Sequence, residues 1–294
     1  MPLVSVILPT CDRPHLWPRA LASVAAQSFG DWEVLLIDSN RRAGRVREHP
    51  AWSMWRNDPR VRLLEEAHAP SSSGARNVGL RAARGEWVTY LDDDDIYRPE
   101  KLARQLDLAR REQADLVICG YTVVLPRRRR VRQVEKDEFC GGEMLAAATW
   151  CTPLIFHRRT EGVWFDETLR AGDDEVFAQA MILRRGLQRV PNCRESLVEM
   201  HPQIGAARVH GDMESVWHAC RVNAKQVRGR YSREARRAYL AMGQLVRAQG
   251  GYGNAGHFAR CAWATLKARG PGAWRLVANA TARRLGVLRE WIVS

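Results

Sequence analysis

Four adjacent aspartates, Asp92 to Asp95, follow the apolar run Trp87-Val88-Thr89-Tyr90-Leu91. Adjacent carboxylates repel one another and raise some of their own pKa values unless a cation balances them. Their oxygens suit Mg2+ or Mn2+, which takes one or two protein carboxylates and fills its shell with water and substrate phosphates. An exposed acidic turn capping the helix near Pro99 is the plainer alternative. Attachment to a hydrophobic strand in an alternating β/α region favours the metal–phosphate chemistry. Two more polar groups stand after apolar runs: Thr10 and Asp12 after Val4–Leu8, and Asp38 after Trp32–Ile37. Ligands of an open α/β sheet bind beyond the carboxyl ends of its strands, so all three groups converge on one end of such a sheet.

The elements that must hold these residues are legible as alternating signals. Val4–Leu8, Trp32–Ile37, Val61–Leu64, Trp87–Leu91 and Leu116–Cys119 read as strands. Between them lie helical patterns. One has Pro14 in its first turn and carries Leu16, Ala20, Leu21, Val24 and Ala25 on one face; another covers Ala75 to Ala83, with caps at Ser71–Ser73 and a stop at Gly85. A third follows Pro99 through Leu102, Leu106 and Leu108. Strands alternating with helices predict an α/β fold, a mostly parallel sheet flanked by helices on right-handed crossovers. The middle is less regular. Arg127–Arg130 is expected at the solvated tip of a hairpin between Tyr121–Leu125 and Val131–Val134. Glu143–Ala148 and Asp173–Arg184 read as helical, Leu154–His157 as a strand.

Charge divides the chain in two. Of 46 Lys+Arg and 33 Asp+Glu, residues 206–294 hold 16 and 4, so nearly all of the +13 sits in a basic, helical C-terminal region. Such a segment can meet any anionic surface. Seven cysteines, an odd number with no C-x-x-C pair, argue against a disulfide framework or structural zinc and fit a reducing cytoplasm. No apolar stretch approaches the length of a membrane-spanning helix, and the N-terminus runs straight into a strand rather than a signal peptide.

Several stretches together resemble the family 2 glycosyltransferases, which have the GT-A nucleotide-sugar fold. Val4-Ser5-Val6-Ile7-Leu8-Pro9-Thr10 is similar to that family's opening strand, and Glu33 to Asp38 to its second. Gly74-Ala75-Arg76-Asn77-Val78-Gly79-Leu80 resembles the stretch leading into its metal motif. Leu91-Asp92-Asp93-Asp94-Asp95-Ile96 resembles its D-x-D segment. Phe165-Asp166-Glu167 and Gly172-Asp173-Asp174 resemble its catalytic-base segment. The resemblance covers roughly residues 3–201 and leaves out the basic region. It implies a catalytic domain over 1–205, with a nucleotide-sugar half (1–120) and an acceptor and catalytic-base half (121–205), followed by the basic helical region 206–294.

The resemblance also implies roles. Thr10, Asp12 and Asp38 line the base and ribose pocket; Arg76 lies near the acidic cluster or the nucleotide. Asp92 or Asp93 reaches the ribose or a metal-bound water, and Asp94 is the direct ligand of Mn2+ or Mg2+. Asp174 is the base that takes the acceptor's proton in a single displacement with inversion, while Asp173 caps the helix. His201 is placed close to the diphosphate or metal; a surface histidine fits the same segment, and His210 competes for the role. The family often has Asn at Asp12 and a second acidic residue at Ser39, so the nucleotide's identity stays open, with a UDP-sugar as the first expectation.

The implied function is glycosyl transfer from a nucleotide-diphospho-sugar to a glycan or lipid-linked acceptor in bacterial surface polysaccharide or lipopolysaccharide assembly. The expected place is the cytoplasm, at the inner face of the membrane. A sugar-nucleotide nucleotidyltransferase would want a Gly-rich phosphate loop where Pro9-Thr10-Cys11-Asp12-Arg13 stands. A nucleic-acid-binding protein fits the charge but has no recognisable motif here, so no nucleic acid is expected. The segment Ala273–Ser294 spaces Trp274, Val277, Leu285, Leu288 and Ile292 along one helical face among arginines. That favours an anionic membrane surface over plain packing on the catalytic domain.

Overall fold

The computed structural model describes residues 1–40, 44–66, 71–125, 128–132, 136–146, 150–201 and 213–249. Four parallel strands form its frame: β1 (Val4–Thr10), β2 (Trp32–Asp38), β3 (Val61–Glu65) and β4 (Trp87–Tyr90), in the order β3-β2-β1-β4. Every residue of β1 and β2 is buried. A parallel strand covered on both faces is a continuous apolar run, which is how these two read in sequence. Register sets Thr10 beside Asp38. The Leu91 N–H donates to the Ile7 carbonyl at 2.9 Å, so the aspartate run leaves the sheet at the same end.

Beyond β4 the sheet becomes mixed. After the two-residue β5 (Ile96–Tyr97), the long β6 (Leu116–Leu125) joins the tract expected as two strands into one. The strand β9 (Phe156–Arg158) inserts antiparallel between β4 and β6, β10 (Arg189–Met200) lies parallel to β6, and β5 closes the path antiparallel to β10. Two short strands, β7 (Arg128–Arg132) and β8 (Glu138–Cys140), pair antiparallel with β6 and β10. The expected hairpin is present, but Arg128, Arg129 and Arg130 stand in β7 and not at its tip. Arg129 has a reason to be there: its guanidinium meets the Glu199 carboxylate at 2.5 Å.

Successive residues of β1 point to opposite faces, which divides the core. Val4, Val6 and Leu8 face α1 (Trp17–Ala25) and α5 (Lys101–Arg111); Ile7 faces α4 (Ser72–Ala82) and α7 (Asp173–Arg185). α1 starts later than expected and carries Pro18, not Pro14, in its first turn. α4 lies so close on β1 that a Cβ at Gly79 would stand 2.5 Å from Ile7 Cγ2, leaving room for glycine alone. The helices α8 (Met213–Gln226) and α9 (Arg233–Gln249) join the second core through Trp217 and Tyr239, with Tyr231 from the turn between them. The Tyr231 hydroxyl donates to Gln179 Oε1 of α7 at 2.9 Å. Ala273–Ser294 and His210 lie outside the described residues. Among the described residues no helix is long and apolar enough to cross a membrane.

Strand β9 brings in a buried histidine. His157 Nδ1 donates to the Arg158 carbonyl at 2.9 Å, which leaves Nε2 to accept from the Tyr90 hydroxyl, also at 2.9 Å. Burial pushes its pKa down from 6.5 to about 4, against the opposing pull of the Arg158 carbonyl. As pH falls below 6.5 the unfolded chain takes a proton that the folded one refuses until about 4. This single residue therefore removes about 3 kcal/mol of stability between those limits. The loss should vanish from the slope of His157→Gln: in denaturant melts from pH 7 to pH 4, the gap between wild type and variant narrows as pH falls. A constant gap would show that His157 is not held neutral.

Candidate active site

Six carboxylates and three arginines meet at the carboxyl end of the sheet. The loop after β4 supplies Asp92 to Asp95, and the first turn of α7 supplies Asp173 and Asp174. Arg76, on α4 and only 6% exposed, joins the two groups. Its Nη2 donates to Asp92 Oδ1 at 2.7 Å and its Nη1 to Asp173 Oδ2 at 3.1 Å. Burial works against the Arg76 charge, but Asp92 and Asp173 overcome it and hold the guanidinium pKa above its usual value. Asn77, one residue on, grips the segment Phe165–Glu167: it donates to the Phe165 carbonyl and Glu167 and accepts the Phe165 N–H, all at 2.8–2.9 Å.

Each aspartate of the run has a different environment. Asp93, 1% exposed, accepts from Thr10 Oγ1 at 2.9 Å and from Arg13 Nη2 at 2.5 Å. Burial raises its pKa to about 7, with Arg13 and Thr10 opposing. Asp94 opens more to solvent and meets Arg13 Nη1 at 3.2 Å; its backbone carbonyl accepts from Arg19 at 2.6 Å. Its pKa is raised by burial and by Asp92. Asp95 is buried and accepts the His201 N–H at 3.0 Å; burial, then Asp92 and Asp94, push it well up. That bond ties the end of β10 to the run. The imidazole of His201 faces Glu199 at 3.5 Å, and desolvation with Arg19 lowers its pKa.

Asp12 and Asp38 form a second layer around Asn40. The Asp12 N–H donates to Asn40 Oδ1, with Asp12 in the left-handed region at φ +52°. Asp38 is 1% exposed; its Oδ2 accepts the Val46 N–H at 3.0 Å and its Oδ1 accepts from Asn40. The Ser39 hydroxyl, donating to the Thr10 carbonyl at 3.0 Å, joins this layer to the first. Asp38 therefore ties the end of β2 to α2 (Arg45–Glu48) through the Val46 N–H.

The α7 turn differs from expectation. Its N-cap is Gly172, at φ +72°, and no side chain caps it. Asp173 is instead bound to Arg76 and to the Ser73 hydroxyl at 2.7 Å. With those partners supplied by α4, the Asp173 side chain has no part in capping. Asp174 Oδ1 accepts the Glu175 N–H at 2.8 Å. Desolvation and the Asp173 charge push its pKa well up, with Arg76 pulling the other way. A carboxylate so placed holds a proton more tightly than a free one.

The family model described as Glycosyl transferase family 2 matches residues 5–171. The chain belongs to this family. It is 30% identical over 125 residues to the Escherichia coli enzyme WfgD, named UDP-Glc:alpha-D-GlcNAc-diphosphoundecaprenol beta-1,3-glucosyltransferase; the match covers 42% of this chain and 47% of WfgD. The chain spans about half the length of such curated relatives. S. aureus TarS, solved with UDP-GlcNAc, superposes with a TM-score of 0.68 at 17% identity, covering 97% of this chain and 89% of that one. The mannosyltransferase PcManGT of Pyrobaculum calidifontis, solved with GDP-Man and Mn2+, gives 0.61 at 22% identity, covering 98% and 81%. The fold is GT-A.

In this family 2 transferase the donor set fits a divalent cation only in part. Among the described residues no three His, Cys, Asp or Glu side chains converge to enclose an ion. Mg2+ and Mn2+ do not need a cage: they keep waters and borrow phosphate oxygens. Asp94 offers a carboxylate partly open to solvent, and burial, with the neighbouring carboxylates adding to it, raises the pKa values of Asp93, Asp94 and Asp95. Sequence reasoning missed Arg13, Arg19, Ser73 and Asn77. Only Asn77 carried a signal, inside the Gly74–Leu80 stretch. The partners of the others lie 75 to 100 residues away.

Proposed function

We propose that this chain transfers a sugar, with inversion, from a nucleotide-diphospho-sugar to a hydroxyl of a glycan or lipid-linked acceptor. A UDP-sugar is the first candidate donor. The observation that carries the reading is Arg76, which locks Asp92 to Asp173 and so sets Asp174 beside the aspartate run. One displacement then needs one base. Asp174 takes the acceptor's proton while the acceptor oxygen bonds to the anomeric carbon, and the bond from that carbon to the diphosphate breaks. Burial and the Asp173 charge, which raise its pKa, make it a stronger base than a free carboxylate once it has lost its proton. Asp94 would hold Mn2+ or Mg2+, with His201 close by, and the bound cation would neutralise charge on the departing nucleoside diphosphate. Thr10, Asp12, Asp38, Asp92, Asp93 and Arg76 bind or shape the site for the nucleotide-sugar.

The acceptor in WfgD's name, a diphosphoundecaprenol-linked sugar, supports a lipid-linked acceptor and a setting in surface polysaccharide synthesis. The TarS and PcManGT ligands support a nucleotide-sugar donor. The inner face of the membrane, reached through the basic C-terminal region, is part of the same reading. A panel of nucleotide-sugars with Mn2+, assayed for slow release of nucleoside diphosphate with and without anionic vesicles, tests both parts. One donor should be hydrolysed well above the rest, and low-salt vesicles should sediment the protein. Release from no donor would overturn the transferase reading; protein left in the supernatant would overturn the membrane part.

A further inference from the structure

Arg13 has no part in the roles assigned so far, yet it lies against two carboxylates of the aspartate run. Its two terminal nitrogens divide between Asp93 Oδ1, at 2.5 Å, and Asp94 Oδ2, at 3.2 Å. The contacts are unequal in kind. Asp93 is buried and also held by Thr10, so it anchors the guanidinium. Asp94 is the more open carboxylate and takes the longer, weaker contact. Arg13 itself is 40% exposed and can swing outward. Its aim is set by the backbone: Asp12 holds a left-handed φ of +52°, uncommon for a residue with a Cβ, and its N–H is fixed by Asn40.

We propose that Arg13 is a built-in counter-ion: it stands on the carboxylate meant for the divalent cation and leaves it for the donor's diphosphate. This rests on the metal–diphosphate reading given above. A cation bound at Asp94 and a guanidinium on the same oxygen repel each other, so Arg13 competes with the ion when no nucleotide is present. A diphosphate reverses this. Its oxygens accept the guanidinium's paired N–H groups, as phosphates do readily, and draw Arg13 off Asp94 while adding ligands for the cation. Cation and nucleotide then each tighten the binding of the other, and the coupling is reciprocal. The free enzyme keeps its acidic run neutralised without loading metal, and loading is reserved for the donor complex.

The test is Mn2+ binding to the full chain, followed by electron paramagnetic resonance with and without UDP, in wild type and Arg13→Gln. Without UDP, Arg13→Gln should bind Mn2+ about 10-fold more tightly, the scale set by removing one competing charge at close range. UDP should strengthen Mn2+ binding markedly in wild type and much less in the variant. Arg13→Lys, a point charge that cannot bridge two carboxylates, should fall between them. Equal Mn2+ affinity in wild type and Arg13→Gln without UDP would overturn the inference while leaving the metal reading intact. No Mn2+ binding in either protein even with UDP would overturn the metal reading and this inference with it.

Discussion

Asp174→Asn should bind the donor as the wild type does and transfer its sugar at least about 100-fold more slowly, the usual scale for a positioned general base. The substitution preserves size and leaves an oxygen to accept the Glu175 N–H. It removes only the capacity to take a proton. Because Asp174 sits in the first turn of α7, losing its charge also gives up a favourable interaction with the helix dipole, about 0.5 kcal/mol and too small to unfold the protein. It also relieves repulsion from Asp173, whose charge stays balanced by Arg76. Stability should therefore hardly change while turnover collapses. The measurement is a transfer rate to an acceptor beside calorimetry of donor binding. Transfer near the wild-type rate would make Asp174 a helix-terminus residue only, and a product that retains the donor's anomeric configuration would refute the single-base scheme.

How far this could be read from sequence follows from the range of the interactions involved. The frame β1, β2 and β4 was legible because a parallel strand buried on both faces leaves an unbroken apolar run, and the polar residues that end those runs are the ones that gather at the site. β9 and β5 were less so: with three and two residues they have too few positions to show a period, and their pairing depends on β4, β6 and β10. A helix start is a local pattern, and that pattern points Asp173 to capping. Ser73 and Arg76, which claim it, lie about 100 residues earlier. A charge run resembles a solvated turn, which points the arginines of β7 to a hairpin tip, while Glu199, which draws Arg129 into the strand, is 70 residues away. Local rules found the residue types; the pairing between distant carboxylates and guanidinium groups decides what each is free to do.

Asp94 is where that pairing has the largest consequence. Asp93 is tied by Thr10 and Arg13, Asp92 by Arg76, and Asp95 by the His201 backbone, so each has a partner that a cation would have to displace. Asp94 is left with the longer, weaker half of the Arg13 contact and is more open to solvent than Asp93. Asp94→Ala should therefore lose the Mn2+-dependent part of UDP binding. Changes in outer-shell partners alone cost 10–100-fold in metal affinity, so removing the ligand itself should cost at least about 100-fold. The fold should not suffer: burial and the Asp92 charge already hold the Asp94 carboxyl above its ordinary pKa, so the alanine relieves an unfavourable charge and the metal-free protein should melt no lower than wild type. Calorimetric titration of UDP with and without Mn2+, beside a thermal melt, separates the two effects. Metal-dependent UDP affinity that survives in Asp94→Ala would move the cation to another carboxylate of the run. Asp92 would be the next to substitute, because Arg76 is buried and holds it through one nitrogen only.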